Sequence, residues 1–418
     1  VRQENINQAL GQAKFWRAYA YFYLVRVFGP IPLNPHNEND KGKTPLTDIQ
    51  GVYDIILRDL EDCEGYNLPA KYTKAPESLF NVNVYVTQQA VKSTLAAVYM
   101  AMAGYPLNKG MEYYAKAATK AKEVIDGVNN GSYDVIINTE WKDVYSYGNN
   151  YNKETILGIN YSPTKNWFTD SELSSCVLFE SLGGWGDSWG EIKFWKEFPE
   201  GPRKTAVYDP QIRLKDGTLT DWWALNSDGT AVIPERHPMF SIFTINADNK
   251  GNEVREPYDY TKPPYTGMCT DTRHQLIRYT EVLLWYAESA ARSGGDLNLA
   301  KQCLKKVRER AVETNQVGIV DGINIDQMNA DQLAEAAWKE HGWEVAGYWV
   351  AMVTRRGDEL RLNKLKENFE YRKTNAPITV ATGFTATESV PVQGTWNDNL
   401  NYMPYPGIEV GKNPNLKR

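Results

Sequence analysis

The sequence predicts a mostly α-helical protein, a superhelical scaffold of stacked helical hairpins interrupted by an irregular insert of loops and short strands. Three observations carry this expectation. Apolar residues recur at helical spacing in several segments bounded by Gly, Pro and Asp stop and start signals. Those segments place alanines at close-approach positions with aromatic residues opposite. Between Gly127 and Thr272 the texture changes to short apolar runs such as "ETILGIN", Gly/Asn/Asp clusters and Trp-rich loops.

The first segment, "GQAKFWRAYAYFYLVRVFGPIPL", is apolar nearly all round, which predicts a helix buried between neighbours. Phe15, Tyr19, Phe22 and Tyr23 form one stripe and are read as core, while Arg17 and Arg26 are expected to pair with carboxylates or helix carbonyls at the margin. Gly29 can take the left-handed cap conformation, and Pro30 and Pro32 cannot continue a helix. A second helix starts near Asp48, with Val52, Ile55, Ile56 and Leu60 at helical spacing. The pairing recurs over 87–104 and 111–126, closed by Gly104 and Gly127. It recurs again over 275–293, closed by Gly294 and Gly295, after which Asp296 can cap a helix through Leu304, Val307 and Ala311. Helical pattern returns at Asn329 to Arg356, followed by a loop-rich tail. Stacked pairs of this kind suit a tetratricopeptide-like scaffold, although that repeat's full consensus is absent. The expected organisation is a scaffold part at 1–127, the Trp-rich insert at 128–274 and a second scaffold part with its tail at 275–418.

Composition narrows the function classes. A chain of 418 residues with 42% hydrophobic and 23% charged residues has the makeup of a folded globular protein. Its net charge of -6 and the absence of a basic stripe argue against nucleic acid as a partner. Cys63, Cys176, Cys269 and Cys303 are widely spaced and predict buried thiols, with neither a disulfide framework nor a zinc site. No apolar run reaches the length of a membrane span. Val1 runs straight into a helical pattern without a cap, so a preceding segment is expected.

No catalytic constellation is expected, and neither a cofactor nor a metal. "GDSWG", Gly186 to Gly190, fits a Gly-x-Ser-x-Gly nucleophile elbow, the basis of a remote serine-hydrolase alternative. That elbow needs a strand feeding the turn, and "ESLGG" separates it from the apolar run at Val177 to Phe179. "KGKT" lacks the upstream Gly of a phosphate loop, and "NADNKG", 246–251, puts Lys250 where a calcium ligand belongs.

Binding residues are expected in the insert, where "WFTD", "GGWGDSWGEIKFW" and "DWWALNSDG" combine indoles with Asp and Asn. A sugar presents an apolar C–H face and a rim of hydroxyls, which calls for flat aromatic platforms beside hydrogen-bonding groups. Trp185, Trp189, Asp187, Trp222, Trp223 and Trp167 are the candidate ligand contacts, with glycines 183, 184 and 186 letting Trp185 and Trp189 project from a tight loop. Arg203 in "FPEGPRKTAVYDP" is read as structural.

Several of these segments together resemble one family. "AKFWRAYAYFYLVRVFGPIPL", "VYDIILRDLEDCEGYNLP", "QAVKSTLAAVYMAMAG", "RHQLIRYTEVLLWYAESAARSG" and "YMPYPGIEVGKNPNL" resemble, in this order along nearly the whole chain, the SusD/RagB family of outer-membrane nutrient-binding lipoproteins. "WKEHGWEVAGYWVAMVTRRG" keeps the character of the family's last long helix but lacks its usual Asp-Leu-Val-Arg close. The resemblance implies non-catalytic capture of an oligosaccharide at the extracellular face of the outer membrane. It also implies delivery to a SusC-like TonB-dependent transporter, and anchorage by an N-terminal lipid not present in this chain. A peptide-binding, RagB-like role is the alternative within the same family.

Overall fold

The computed structural model describes residues 2–34, 43–146, 149–161, 176–208, 210–242, 246–247, 253–254, 273–347 and 349–416. Twelve α-helices occur among them: α1 Gln3–Phe28, α2 Ile49–Gly65, α3 Gln88–Ala103, α4 Met111–Asn129, α5 Ile192–Glu197, α6 Pro202–Val207, α7 Tyr279–Ser293, α8 Leu297–Arg308, α9 Ala330–Glu344, α10 Trp349–Arg361, α11 Leu365–Thr374 and α12 Gly407–Lys412. The helix ends follow the expected chemistry. Asp48 accepts from Gly51 N to open α2, Gly294 closes α7 in the left-handed conformation at φ 72°, and Asp296 accepts from Asn298 N and Leu299 N to open α8; Gly29 closes α1 at φ 68° but with ψ -127°, outside the left-handed conformation expected of it.

Packing makes these helices a hairpin stack. α1 lies along α2, α3 along α4, and α7 packs against α4, α8 and α9, while α10 returns to touch α1 and α3. One core runs through the stack and takes in Trp141, Ile156, Val207 and Tyr208 from the insert. α4 continues two residues beyond the expected stop at Gly127, which is small because a Cβ there would meet the Tyr133 ring at 2.3 Å. Helix continues through Thr354 to Gly357 despite the unusual sequence, with Gly357 against the Arg26 side chain.

Three expectations need correction. Residues His274–Arg278 are a strand, β2, paired antiparallel with β1 (Thr155–Ile159), and α7 starts only at Tyr279. Tertiary pairing decides this: Thr155 Oγ1 donates to Gln275 Oε1 at 2.8 Å, and Arg278 N donates to the Glu281 carboxylate at 3.0 Å, opening the helix. α1 is not buried all round. Phe15, Ala18, Phe22 and Val25 are in the core, but Leu10, Trp16 and Leu24 are exposed because α2, α3 and α10 cover one side of the helix. The tail holds α11 and an antiparallel hairpin, β3 (Ile378–Ala381) and β4 (Phe384–Ala386), where loop was expected.

Arg17 and Arg26 behave as expected. Arg17 grips the fully buried Asp59 with two bonds of 2.7 Å, and Arg26 donates to the Phe22 carbonyl at 3.1 Å. The insert is tied to the scaffold by a buried ionic cluster of four guanidiniums and three carboxylates: Arg203, Arg278, Arg308 and Arg310 with Glu154, Glu340 and Glu344. Arg203 is fully buried, in keeping with its structural reading. It donates to Glu344 at 2.9 Å and stands 2.7 Å from a Glu340 oxygen in an ion pair that lacks hydrogen-bond geometry.

Gly104 marks where α3 meets the end of α10. A Cβ there would fall 2.3 Å from the Arg361 carbonyl oxygen, which also accepts from Tyr105 N at 2.9 Å. Gly104→Ala is therefore expected to destabilise by roughly 1–3 kcal/mol, the usual cost of overpacking. Urea titration should show a lower midpoint at unchanged slope, and an unchanged midpoint would contradict this packing.

Candidate ligand-binding site

The Trp-rich loop is held by its glycines and by backbone bonds. Gly183 at φ 103° and Gly186 at φ 61° sit where an L side chain is strained, and a Cβ on Gly184 would meet the Leu178 carbonyl at 2.2 Å. Gly184 N donates to Phe179 O at 3.0 Å, Gly186 N to Leu178 O at 2.9 Å, Asp187 N to Cys176 O at 3.0 Å and Gly190 N to Pro238 O at 2.8 Å. The loop thus displays an exposed Asp187 between two half-buried indoles, Trp185 and Trp189.

The support beneath it is a second core made of Leu178, Phe179, Ile192, Ile212, Trp222 and Ile233 from the insert with Val380 and Ala386 from β3 and β4. Trp189 packs on this core and stacks on His237, centroids 5.1 Å apart and planes inclined by 30°. It is therefore less free-standing than its glycine-rich surroundings suggest. His237 is fully buried; its Nδ1 lies 2.7 Å from the Glu235 carbonyl and its Nε2 3.0 Å from the Glu388 carboxylate. Glu388 also accepts from Ile192 N at 2.7 Å, and Glu235 takes both the amide and the hydroxyl of Ser181. One clamp thus fixes the loop, the start of α5 and the tail. Spacing gave no sign of His237, Glu235 and Glu388, because the clamp joins positions far apart in the chain.

The remaining indoles divide. Trp222 is 2% exposed, packed edge-on against Trp195 at 5.4 Å and Trp223 at 5.2 Å, so it is a core residue and has no face to offer a ligand. Trp223 is half-buried against the same core, and Lys204 Nζ sits 4.6 Å from the Trp195 ring. Trp167 lies outside the described residues, as does Cys269. Cys63, Cys176 and Cys303 are buried, and burial raises the Cys63 and Cys303 thiols to about 12, far from reactivity.

Ser188 stands in the loop with no strand running into it. The nearby imidazole, His237, directs its nitrogens at Glu235 and Glu388. Ser389 Oγ comes within 3.3 Å of His237 Nδ1, completing a Ser, His and Glu grouping. Nδ1 must carry a hydrogen to satisfy the Glu235 carbonyl, so it has no lone pair to take the Ser389 proton. The grouping is a clamp and lacks a general base.

Comparison with known proteins bears on the same chain. Residues 1–100 match the SusD-like_3 family, described as "Starch-binding associating with outer membrane", and residues 248–418 match SusD_RagB, the SusD family. A SusD-like protein of Bacteroides ovatus is 26% identical over 321 residues, covering 73% of this chain and 53% of the relative. The chain belongs to the SusD/RagB family. Solved structures share its fold: surface glycan-binding protein A from Bacteroides uniformis superposes with a TM-score of 0.69 at 20% identity, covering 100% of this chain and 79% of that one. A structure solved with xylogluco-oligosaccharide gives a TM-score of 0.68 at 21% identity, covering 100% and 82%. The chain spans about half the length of the curated SusD-like relatives it matches.

Proposed function

We propose that this protein captures an oligosaccharide at the outer face of the outer membrane, without catalysis, and passes it to a SusC-like TonB-dependent transporter. The observation that carries the reading is the pinned loop that presents Trp185 and Trp189 on either side of the exposed Asp187. The glycan-binding relative from B. uniformis and the xylogluco-oligosaccharide complex support sugar as the ligand class. The family description supports the membrane association. Among the described residues no helix is long and apolar enough to cross a membrane, and a lipid anchor on a preceding segment is the attachment the family implies.

The mechanism is shape and partial desolvation. An indole face covering about 50 Å² of sugar is worth about 1 kcal/mol at roughly 25 cal/mol per Å². Asp187 then accepts hydroxyl hydrogens at the rim. Such a site is shallow and releases its cargo readily, as delivery requires. A Trp185→Ala, Trp189→Ala double variant should bind its glycan about 10 to 100 times more weakly, with about 1.4 kcal/mol per tenfold. It should also melt somewhat lower, because the Trp189 ring supports the second core. Affinity gels on a polysaccharide panel measure this; unchanged retention would move the site elsewhere. Retention of peptides alone would favour the RagB-like role, and glycan or ester turnover lost on Ser188→Ala would overturn the non-catalytic reading.

A further inference from the structure

The most exposed large apolar side chain among the described residues is Phe80, at 78%. It occupies the first position of the two-residue turn between the paired strands 78–79 and 82–83. Phe80 has φ 50° and Asn81 φ 62°. That turn ordinarily takes Asn or Gly, because a bulky L residue is strained in the left-handed region. A strained, solvent-facing aromatic ring contributes little to folding, and such outliers mark functional positions.

The ring does not stand alone. It lies 5.0 Å from the ring of the half-buried Tyr151, the planes inclined by 48°. The Arg273 guanidinium lies 5.8 Å from the Tyr151 ring, and Arg273 is 1% exposed. Arg273 Nη2 also donates to the Asn83 carbonyl at 3.1 Å, and Asn83 Oδ1 accepts from Tyr72 N at 2.8 Å, so the hairpin and its aromatic neighbour share one rigid support. Asn81, the exposed second residue of the turn, brings an amide suited to hydroxyls, whereas Asn150 Oδ1 accepts from Arg273 N at 2.6 Å and belongs to the support.

We infer that Phe80 and Tyr151 form a second sugar-stacking site, taking a neutral pyranose ring of the captured oligosaccharide. The inference rests on the reading of the protein as a glycan binder, and it adds a contact point carried by the segment between α2 and α3. The two inclined rings offer apolar faces to a sugar ring, a small area compared with the patches that mark protein partners.

The test uses the full chain with para-fluorophenylalanine in place of Phe80, titrated with maltohexaose and a xyloglucan heptasaccharide and followed by fluorine NMR. A saturable shift that survives in the Trp185→Ala, Trp189→Ala background is expected. Phe80→Gly should weaken binding about fivefold, about 1 kcal/mol, at an unchanged or higher melting temperature, since glycine relieves the turn. A sugar retained on affinity gels without any resonance change overturns this site and leaves glycan capture standing. Neither retention nor shift overturns both. A Phe80→Gly variant that melts lower and binds as before shows that the ring is structural, and it too ends the inference.

Discussion

Replacing Glu344 by Ala should destabilise the protein by about 3–5 kcal/mol, the range seen when one partner of a buried ion pair is removed. Glu344 is fully buried and accepts from Arg278 Nη1 at 2.6 Å, Arg203 Nη1 at 2.9 Å, Trp141 Nε1 at 3.1 Å and Arg310 Nη2 at 3.4 Å. Burial alone would push its carboxyl up, but Arg278, Arg203 and Arg310 overcome that and hold it well below the usual carboxylate range. Without it, four guanidiniums would share Glu154 and Glu340 in a dry interior, and desolvation of the surplus charge sets the cost. Glu344→Gln keeps the shape and some bonds, so it should fall between parent and Ala. Glu309→Ala, at an exposed position of α8's C-cap, should stay within about 0.5 kcal/mol. Urea unfolding gives the ranking. A Glu344→Ala variant as stable as the parent would mean that the cluster does not hold the insert to the scaffold, whereas a variant that accumulates only unfolded agrees with it.

That cluster also shows what a linear sequence carries and what it withholds. Helix pairs were legible because their signals are local: Asp48, Gly294 and Asp296 act within a turn of their own position. Arg203 could be read as structural from its segment, but its partners Glu340 and Glu344 lie on α9, beyond the reach of spacing. "HQLIRYTEVLL" has continuous helical periodicity, and only the pairing with 155–159 turns its first five residues into strand. In the insert, Trp222 and Trp189 looked alike beside their polar and glycine neighbours. They differ because Val380 and Ala386, from the tail, complete the core that buries Trp222 and supports Trp189. The His237–Glu388 clamp was hidden for the same reason. Phe80 raised no signal, since its meaning lies in a backbone angle and in Tyr151 across the fold.

Stability should also fall as pH rises from about 6.5 toward about 9, on the order of 3 kcal/mol at 1.36 kcal/mol per pKa unit. His341 on α9 is the group responsible. Burial by itself disfavours its charge, yet Nδ1 lies 3.0 Å from Asp358 on α10 and Nε2 3.2 Å from Glu281 on α7, and those carboxylates raise it to about 9. A folded-state value above the unfolded one means the stabilisation is complete below about 6.5 and disappears as pH climbs through about 9. Arg361 adds its own ties, to Asp358 at 2.8 Å and to both Glu288 oxygens at 2.7 and 2.8 Å, but it stays charged throughout, so His341 sets the window. Asp358 and Glu344 work in the opposite sense. Their folded values are depressed, so their contribution is present above the ordinary carboxylate range and is lost as pH falls through it. The parent should therefore be most stable near about 6.5, with an acid limb from the carboxylates and from the buried His274, whose folded value desolvation lowers to about 4, and an alkaline limb from His341. In His341→Gln the acid limb should remain, overall stability should drop, and the decline between 6.5 and 9 should vanish. Melting temperatures across that range decide it: a parent that melts at the same temperature throughout, or a His341→Gln variant that keeps the alkaline decline, would show that the proton on His341 does not bind the three helices together.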